Sequence, residues 1–122
     1  KITMISAYDV VRAVIQCLST DSHTESDYVL TGPESLSMYD VANTLSSKLG
    51  IKISYQDMLP EKLYEIMIGD EKPEWLAIAM KEIVEKDRAD GSNVSSNSFQ
   101  SLLNSTPMTL EQFTEKSIAQ WK

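Results

Sequence analysis

Strand-like stretches are scarce in this chain and helix-like ones abundant, which limits its fold more than any other feature. The clearest strand lies in "YVLTGPESLSMYDVA", Tyr28 to Ala42, where Tyr28, Val29 and Leu30 favour extended backbone. Gly32-Pro33 breaks it, and Ser37 opens a helical pattern. Two more stretches read the same way, Ile2–Ile5 and Ile51–Tyr55. A buried strand needs partners along both edges. Three short strands make a small sheet for the helices around them.

Those helices announce themselves by their caps. Ser6-Ala7-Tyr8-Asp9 is an S-x-x-D start, with Asp9 placed near the positive helix end. Val10, Val11, Val14, Ile15 and Leu18 are expected to form its buried face. Ser37-Met38-Tyr39-Asp40 repeats the device, so "SAYDVV" and "SMYDVA" are near-copies, which we attribute to shared capping rather than duplication. Met38, Val41, Ala42, Leu45 and Leu49 follow helical spacing, and Gly50 ends that helix.

Pro60 and Pro73 read as first-turn prolines of two further helices. The first covers roughly Pro60 to Ile68. The second runs from Pro73 to about Arg88, with Leu76, Met80, Ile83 and Val84 expected to face inward. "GSNVSSNS" then reads as an exposed loop, and Phe99, Leu102 and Leu103 as a short apolar turn. Thr109-Leu110-Glu111-Gln112 is a capping box for a last helix bearing Leu110, Phe113, Ile118 and Trp121 on one arc. The order β-α-β-α-β followed by helices is an α/β pattern with a few short parallel strands.

Composition removes several classes of function. The 122 residues carry a net charge of −7, opposed to binding phosphate backbones or anionic membrane surfaces. No apolar run approaches the roughly 20 residues that span a bilayer. Cys17 is the single cysteine, which excludes an internal disulfide and favours a reducing, cytoplasmic setting. Two glycosylation-type triplets, Asn93-Val94-Ser95 and Asn104-Ser105-Thr106, are given no weight without a secretion signal. The chain starts at Lys1 rather than methionine, and we expect it to be a piece of something longer.

Chemistry-bearing motifs are sparse. All four glycines stand singly at element ends, so neither G-x-G-x-x-G nor a P-loop is present. There is no G-x-S-x-G, and no Tyr is followed by Lys four positions on. His23 lies among Asp21, Glu25 and Asp27, residue types that bind divalent ions; a solvated acidic loop explains them as well and is preferred. Cys17, with no His nearby in sequence, reads as a packing residue. Met58, Leu59, Tyr64, Met67 and Trp75 cluster on neighbouring helices, either as an apolar pocket wall or as ordinary helix–helix core.

At "YVLTGPESLSMYDVANTLSSKLGIKISYQDMLPE" the chain resembles the C-terminal half of NmrA-like proteins, atypical short-chain dehydrogenase/reductases with an NAD(P)-binding Rossmann core. The matching residues are Leu30, Thr31, Gly32, Pro33 and Glu34, then Ser37, Leu49 and Gly50, then Tyr55, Asp57 and Pro60. "ITMISAYDVVRAVIQCL", "KPEWLAIAM" and "TPMTLEQF" are similar to flanking segments of that family, so nearly the whole chain is covered. Asn104-Ser105-Thr106 departs from the Gly-Arg usual there, which weakens an anion-binding role for the turn.

The resemblance implies that residues 1–122 are the substrate-side portion of such a protein, a fragment whose N-terminal Rossmann half is the missing partner. That half would hold NAD(P), while this chain alone would hold no cofactor and no metal and carry no catalytic residue. The full protein would pass hydride to a small apolar acceptor such as a quinone. Met4, Met58, Leu59, Tyr64 and Trp75 would line the substrate cleft. The alternatives are an NAD(P)-sensing regulator and a stand-alone interaction module. By the same resemblance Ile2–Ile5 should pair in parallel with Ile51–Tyr55, and Tyr28–Thr31 with neither.

Overall fold

The computed structural model describes residues 1–20, 27–90 and 93–121. Among these residues six α-helices follow in order: α1 (Ala7–Leu18), α2 (Met38–Leu49), α3 (Pro60–Gly69), α4 (Glu74–Asp90), α5 (Ser98–Leu103) and α6 (Leu110–Ser117), the last continued by a 3-10 turn at Ile118–Gln120. The chain divides into two compact units, one formed by Lys1–Ser54 with Asn93–Lys122, the other by Tyr55–Ser92.

In the first unit the core gathers where α1 meets α5. Ala13, Phe99 and Leu102 are buried there, with Ile5, Cys17, Tyr28, Leu30 and Leu103 packed around them. Cys17 thus has the packing place expected of it. A second contact joins α2 to α6. The inward row of α2 lies as its spacing predicts, with Ala42 buried and Met38, Val41, Leu45 and Leu49 half-buried. Gly50 takes the left-handed conformation (φ 69°) that closes this helix.

Caps decide where the helices begin. The Ser6 hydroxyl accepts the Tyr8 amide at 3.1 Å. At α2 the box is reciprocal: the Ser37 hydroxyl accepts the Asp40 amide at 3.2 Å, and the Asp40 carboxylate accepts the Ser37 amide at 2.8 Å. Hydrogen bonds from Ser37 hold the Asp40 carboxyl below its usual pKa. Thr109 and Gln112 form the same box at α6. Pro60 opens α3 as its first residue. Pro73 sits one place earlier than expected, its carbonyl accepting the Leu76 and Ala77 amides at the head of α4.

The parallel strands are corrected. Among the described residues no strand forms, and the one β-bridge is antiparallel, between Ile2 and Leu36. Ile2 donates to the Leu36 carbonyl at 2.7 Å and accepts the Leu36 amide at 2.9 Å. Ile51–Tyr55 is drawn to a helix side chain instead. The Ser46 hydroxyl accepts the Ile53 amide at 2.9 Å and donates to its carbonyl at 3.0 Å, meeting the needs a ladder would have met. Tyr55, the end of that stretch, already belongs to the second unit. Among the described residues Tyr28–Thr31 joins no ladder, and Gly32 next to it donates to the Thr3 carbonyl at 3.4 Å.

The burial of α1 is corrected as well. Its buried residues are Asp9 and Ala13, while Val10 is 36% exposed and Val11, Val14, Ile15 and Leu18 are between 50% and 83% exposed. The partners among the described residues of this unit lie on the narrow Asp9–Ala13–Cys17 row, and none of them buries the broad aliphatic stripe.

The second unit is a helical hairpin of α3 and α4. Ala77 and Pro60 are buried in it, and Leu76 and Val84 are half-buried. Met80 and Ile83, expected inside, are exposed, because a two-helix hairpin covers only a narrow stripe of α4. The loop from Asn93 to Asn97 is largely exposed, as its composition predicts; Gly91, Ser92 and the residues 21–26, with His23, lie outside the described residues.

Candidate functional site

The structure does not gather the four lining residues assigned to the second unit: Met58 and Leu59 precede α3 beside the C-terminal end of α4, which carries Arg88, while Trp75 lies at the N-terminal end of α4. The approach to α3 is fastened through Asp57, whose carboxylate accepts the Tyr55 hydroxyl at 3.1 Å and the Arg88 guanidinium. Arg88 also donates to the Met58 carbonyl at 2.7 Å. These bonds fix the backbone that presents Met58, half-buried, and Leu59, 66% exposed, just before the buried ring of Pro60. Tyr64 on α3 reaches across the hairpin and donates to Glu74 at 3.3 Å. Glu74 precedes Trp75, whose indole is 70% exposed.

A concavity of about 280 Å³ lies on the hairpin, lined by Tyr64, Ile78, Lys81, Glu82 and Glu85. Of the residues singled out from sequence, Tyr64 alone lines it. The four α4 residues fall at i, i+3, i+4 and i+7, so their shared face was legible in the spacing. Their charges disguised it as a solvated surface. Lys81 pairs with Glu61 at 3.6 Å and Glu85 at 3.5 Å, which bridges the two helices and sets a charged rim beside an aromatic ring.

Met4 belongs to the first unit, in the extended segment before α1, and is 37% exposed. Its carbonyl packs against Gly32, where a side-chain carbon would overlap the Met4 carbonyl oxygen and come within 2.7 Å of its carbon. Glycine at the L-T-G-P-E turn is therefore required by close backbone approach. Next to it lies a hollow of about 200 Å³ whose wall includes Thr31, Gly32, Ser95, Asn97, Gln100 and Thr106, neutral hydroxyls and amides over the Phe99 ring.

The Asn104-Ser105-Thr106 turn is occupied by structural bonds. Arg12 donates to the Ser105 hydroxyl at 2.9 Å and to the buried Asp9 carboxylate at 3.0 Å, while its guanidinium lies 5.4 Å from the Phe99 ring centre. Asp9 also accepts the Met108 amide at 2.7 Å. Lys48 pairs with Glu111 and Glu115, which raises its pKa and links α2 to α6. Among the described residues no group of three His, Cys, Asp or Glu side chains converges as metal ligands would. No helix among them is long and apolar enough to cross a membrane.

No protein-family model matches the chain. It is 35% identical over 83 residues to an NAD(P)H azoreductase of Xenophilus azovorans, covering 68% of this chain and 29% of that protein. It is 30% identical over 123 residues to the festuclavine dehydrogenase of Aspergillus fumigatus, covering 99% of this chain and 42% of the dehydrogenase. In fold it matches an NADPH-dependent quinone oxidoreductase from Escherichia coli with a TM-score of 0.82 at 18% identity, over 96% of this chain and 42% of that one. The chain thus spans less than half the length of each relative.

Proposed function

We propose that residues 1–122 are the substrate-side portion of an NmrA-like NAD(P)-dependent oxidoreductase, working in the cytoplasm with an N-terminal dinucleotide-binding half. The observation that supports this best is the 35% identity to an NAD(P)H azoreductase over 83 residues. The structures of similar fold, an NADPH-dependent quinone oxidoreductase among them, point the same way.

The residues described do not themselves fit a dinucleotide. Gly32 is packed against Met4, Gly50 closes the C-terminal end of α2, and Gly69 ends α3, so none forms a phosphate-cradling turn at a helix N-terminus. We therefore assign the cofactor to the other half, and no step of hydride transfer to a side chain of this one. Its part is to shape the acceptor site. Leu59 and Trp75 offer apolar surface without a reactive group, and Met58 and Tyr64 complete the lining proposed for this unit. Such a wall suits a flat, weakly polar acceptor such as a quinone, which needs exclusion of water more than hydrogen bonds.

The test is quinone-dependent oxidation of NADPH by the natural longer protein, followed by absorbance. Turnover supports the reading, and tight NADPH binding without turnover on any quinone would make the protein a cofactor sensor. Neither binding nor turnover would remove the assignment altogether.

A further inference from the structure

We infer that the hollow of about 200 Å³ between the L-T-G-P-E turn, the loop before α5 and the turn before α6 is a binding site for a neutral sugar ring. It lies wholly within the first unit. Bonds within the chain fix its walls. The Thr31 hydroxyl, 5% exposed, accepts the Ser96 amide at 3.1 Å and donates to the Ser96 carbonyl at 3.3 Å, which ties the first turn to the loop. Arg12 holds Ser105, next to Thr106, at 2.9 Å, and its guanidinium lies 5.4 Å from the centre of the Phe99 ring. Walls already in place spare a ligand the cost of ordering them.

The groups left over inside these walls choose the ligand. The side chains of Asn97, Gln100 and Thr106 line the hollow and form no hydrogen bond with any described residue. Each amide offers donors and an acceptor, and the hydroxyl offers one of each kind. A sugar hydroxyl likewise both donates and accepts, so a row of adjacent hydroxyls matches such a set. Phe99, Pro33 and Pro107 add apolar ring surface for the C–H face of a sugar. No ionised side chain lines the hollow, so neither a phosphate nor an ammonium meets a countercharge there. Its volume falls below the roughly 300 Å³ at which drug-sized sites begin, which suits one ring and excludes a dinucleotide. Such a site is independent of the reductase assignment.

Saturation-transfer NMR on the natural longer protein without cofactor is the test, with the methyl β-glycosides of glucose, galactose and mannose as probes. Nicotinamide serves as the carboxamide control and glucose 6-phosphate as the anionic one. At least one glycoside should bind with a Kd of about 5 mM or below, the range for a ligand of this size. Asn97→Leu together with Gln100→Leu should weaken it by about tenfold, and Thr106→Val by a smaller factor. The thermal midpoint should hold in both variants, because all three side chains are exposed and make no bond within the fold. No binding of any glycoside at about 50 mM would overturn the inference. So would glycoside binding that the double variant leaves unchanged, since the site would then lie elsewhere. Tighter binding of nicotinamide or glucose 6-phosphate, lost in that same variant, would replace the sugar by a carboxamide or an anion. The readout needs no turnover, so its failure leaves the reductase assignment to the NADPH assay.

Discussion

The Asp9 carboxylate, fully buried, accepts the Met108 amide at 2.7 Å from the opposite end of the chain. Its second oxygen takes the Arg12 guanidinium at 3.0 Å, and Arg12 continues to Ser105. Through these bonds the first helix fixes the turn that leads into α6. Asp9→Ala leaves the Met108 amide without its acceptor, and we expect a loss of about 2 kcal/mol by urea denaturation. Asp9→Asn keeps an acceptor and should cost less. Equal losses for the two variants would mean that charge, not the amide bond, sets the value.

Asp40 occupies the equivalent place at the second helix and does something else. Its carboxylate is held below its usual pKa by the Ser37 hydroxyl and amide. A carboxyl whose folded pKa is depressed stabilises the fold above its unfolded value and loses that contribution as pH falls through the folded value. Acid titration of the wild-type chain should therefore show a component of unfolding that Asp40→Asn lacks. Identical acid profiles would show that the box does not respond to this charge.

Ser37→Ala removes the other half of that box and should lower stability by about 1 kcal/mol in chemical denaturation. The hydroxyl accepts the Asp40 amide at 3.2 Å, and alanine offers nothing in its place. An unchanged midpoint would place the start of α2 elsewhere.

Local signals were legible because short-range chemistry makes them. Ser6, Ser37, Thr109, Gly50 and Pro60 stand at helix ends where their side chains or backbone freedom dictate. The two S-x-Y-D starts show the limit, since one aspartate closes a capping box and the other reaches Met108, a choice made by tertiary packing. The β-pairing was not legible, because strand-like residues form a ladder only beside a partner, and Ile53 found Ser46 first. Apolar spacing located the stripe of α1 but not its surroundings. At the candidate site, Tyr64 was recoverable as the aromatic of the apolar cluster on the helix before Trp75. Lys81, Glu82 and Glu85 were hidden by their charge.

Gly32 offers a sharper test of the L-T-G-P-E turn. The clash of an added side-chain carbon is with the Met4 backbone, which cannot swing aside as a side chain would. Gly32→Ala should cost about 3 kcal/mol, at the upper end for overpacking. A thermal midpoint equal to that of the wild type would mean that the 2–5 segment moves away freely.

Trp75 separates a functional wall from a structural one. At 70% exposure its indole contributes little to the hairpin, and Trp75→Ala should leave stability within about 0.5 kcal/mol. If the indole lines the acceptor site of the longer protein, the same substitution should raise KM for a quinone by about tenfold, with NADPH affinity unchanged. The loss belongs to acceptor binding because the dinucleotide is assigned to the other half. Unaltered KM across several quinones would remove Trp75 from the site, and a matching fall in NADPH affinity would show that the two binding sites are not divided between the halves in this way.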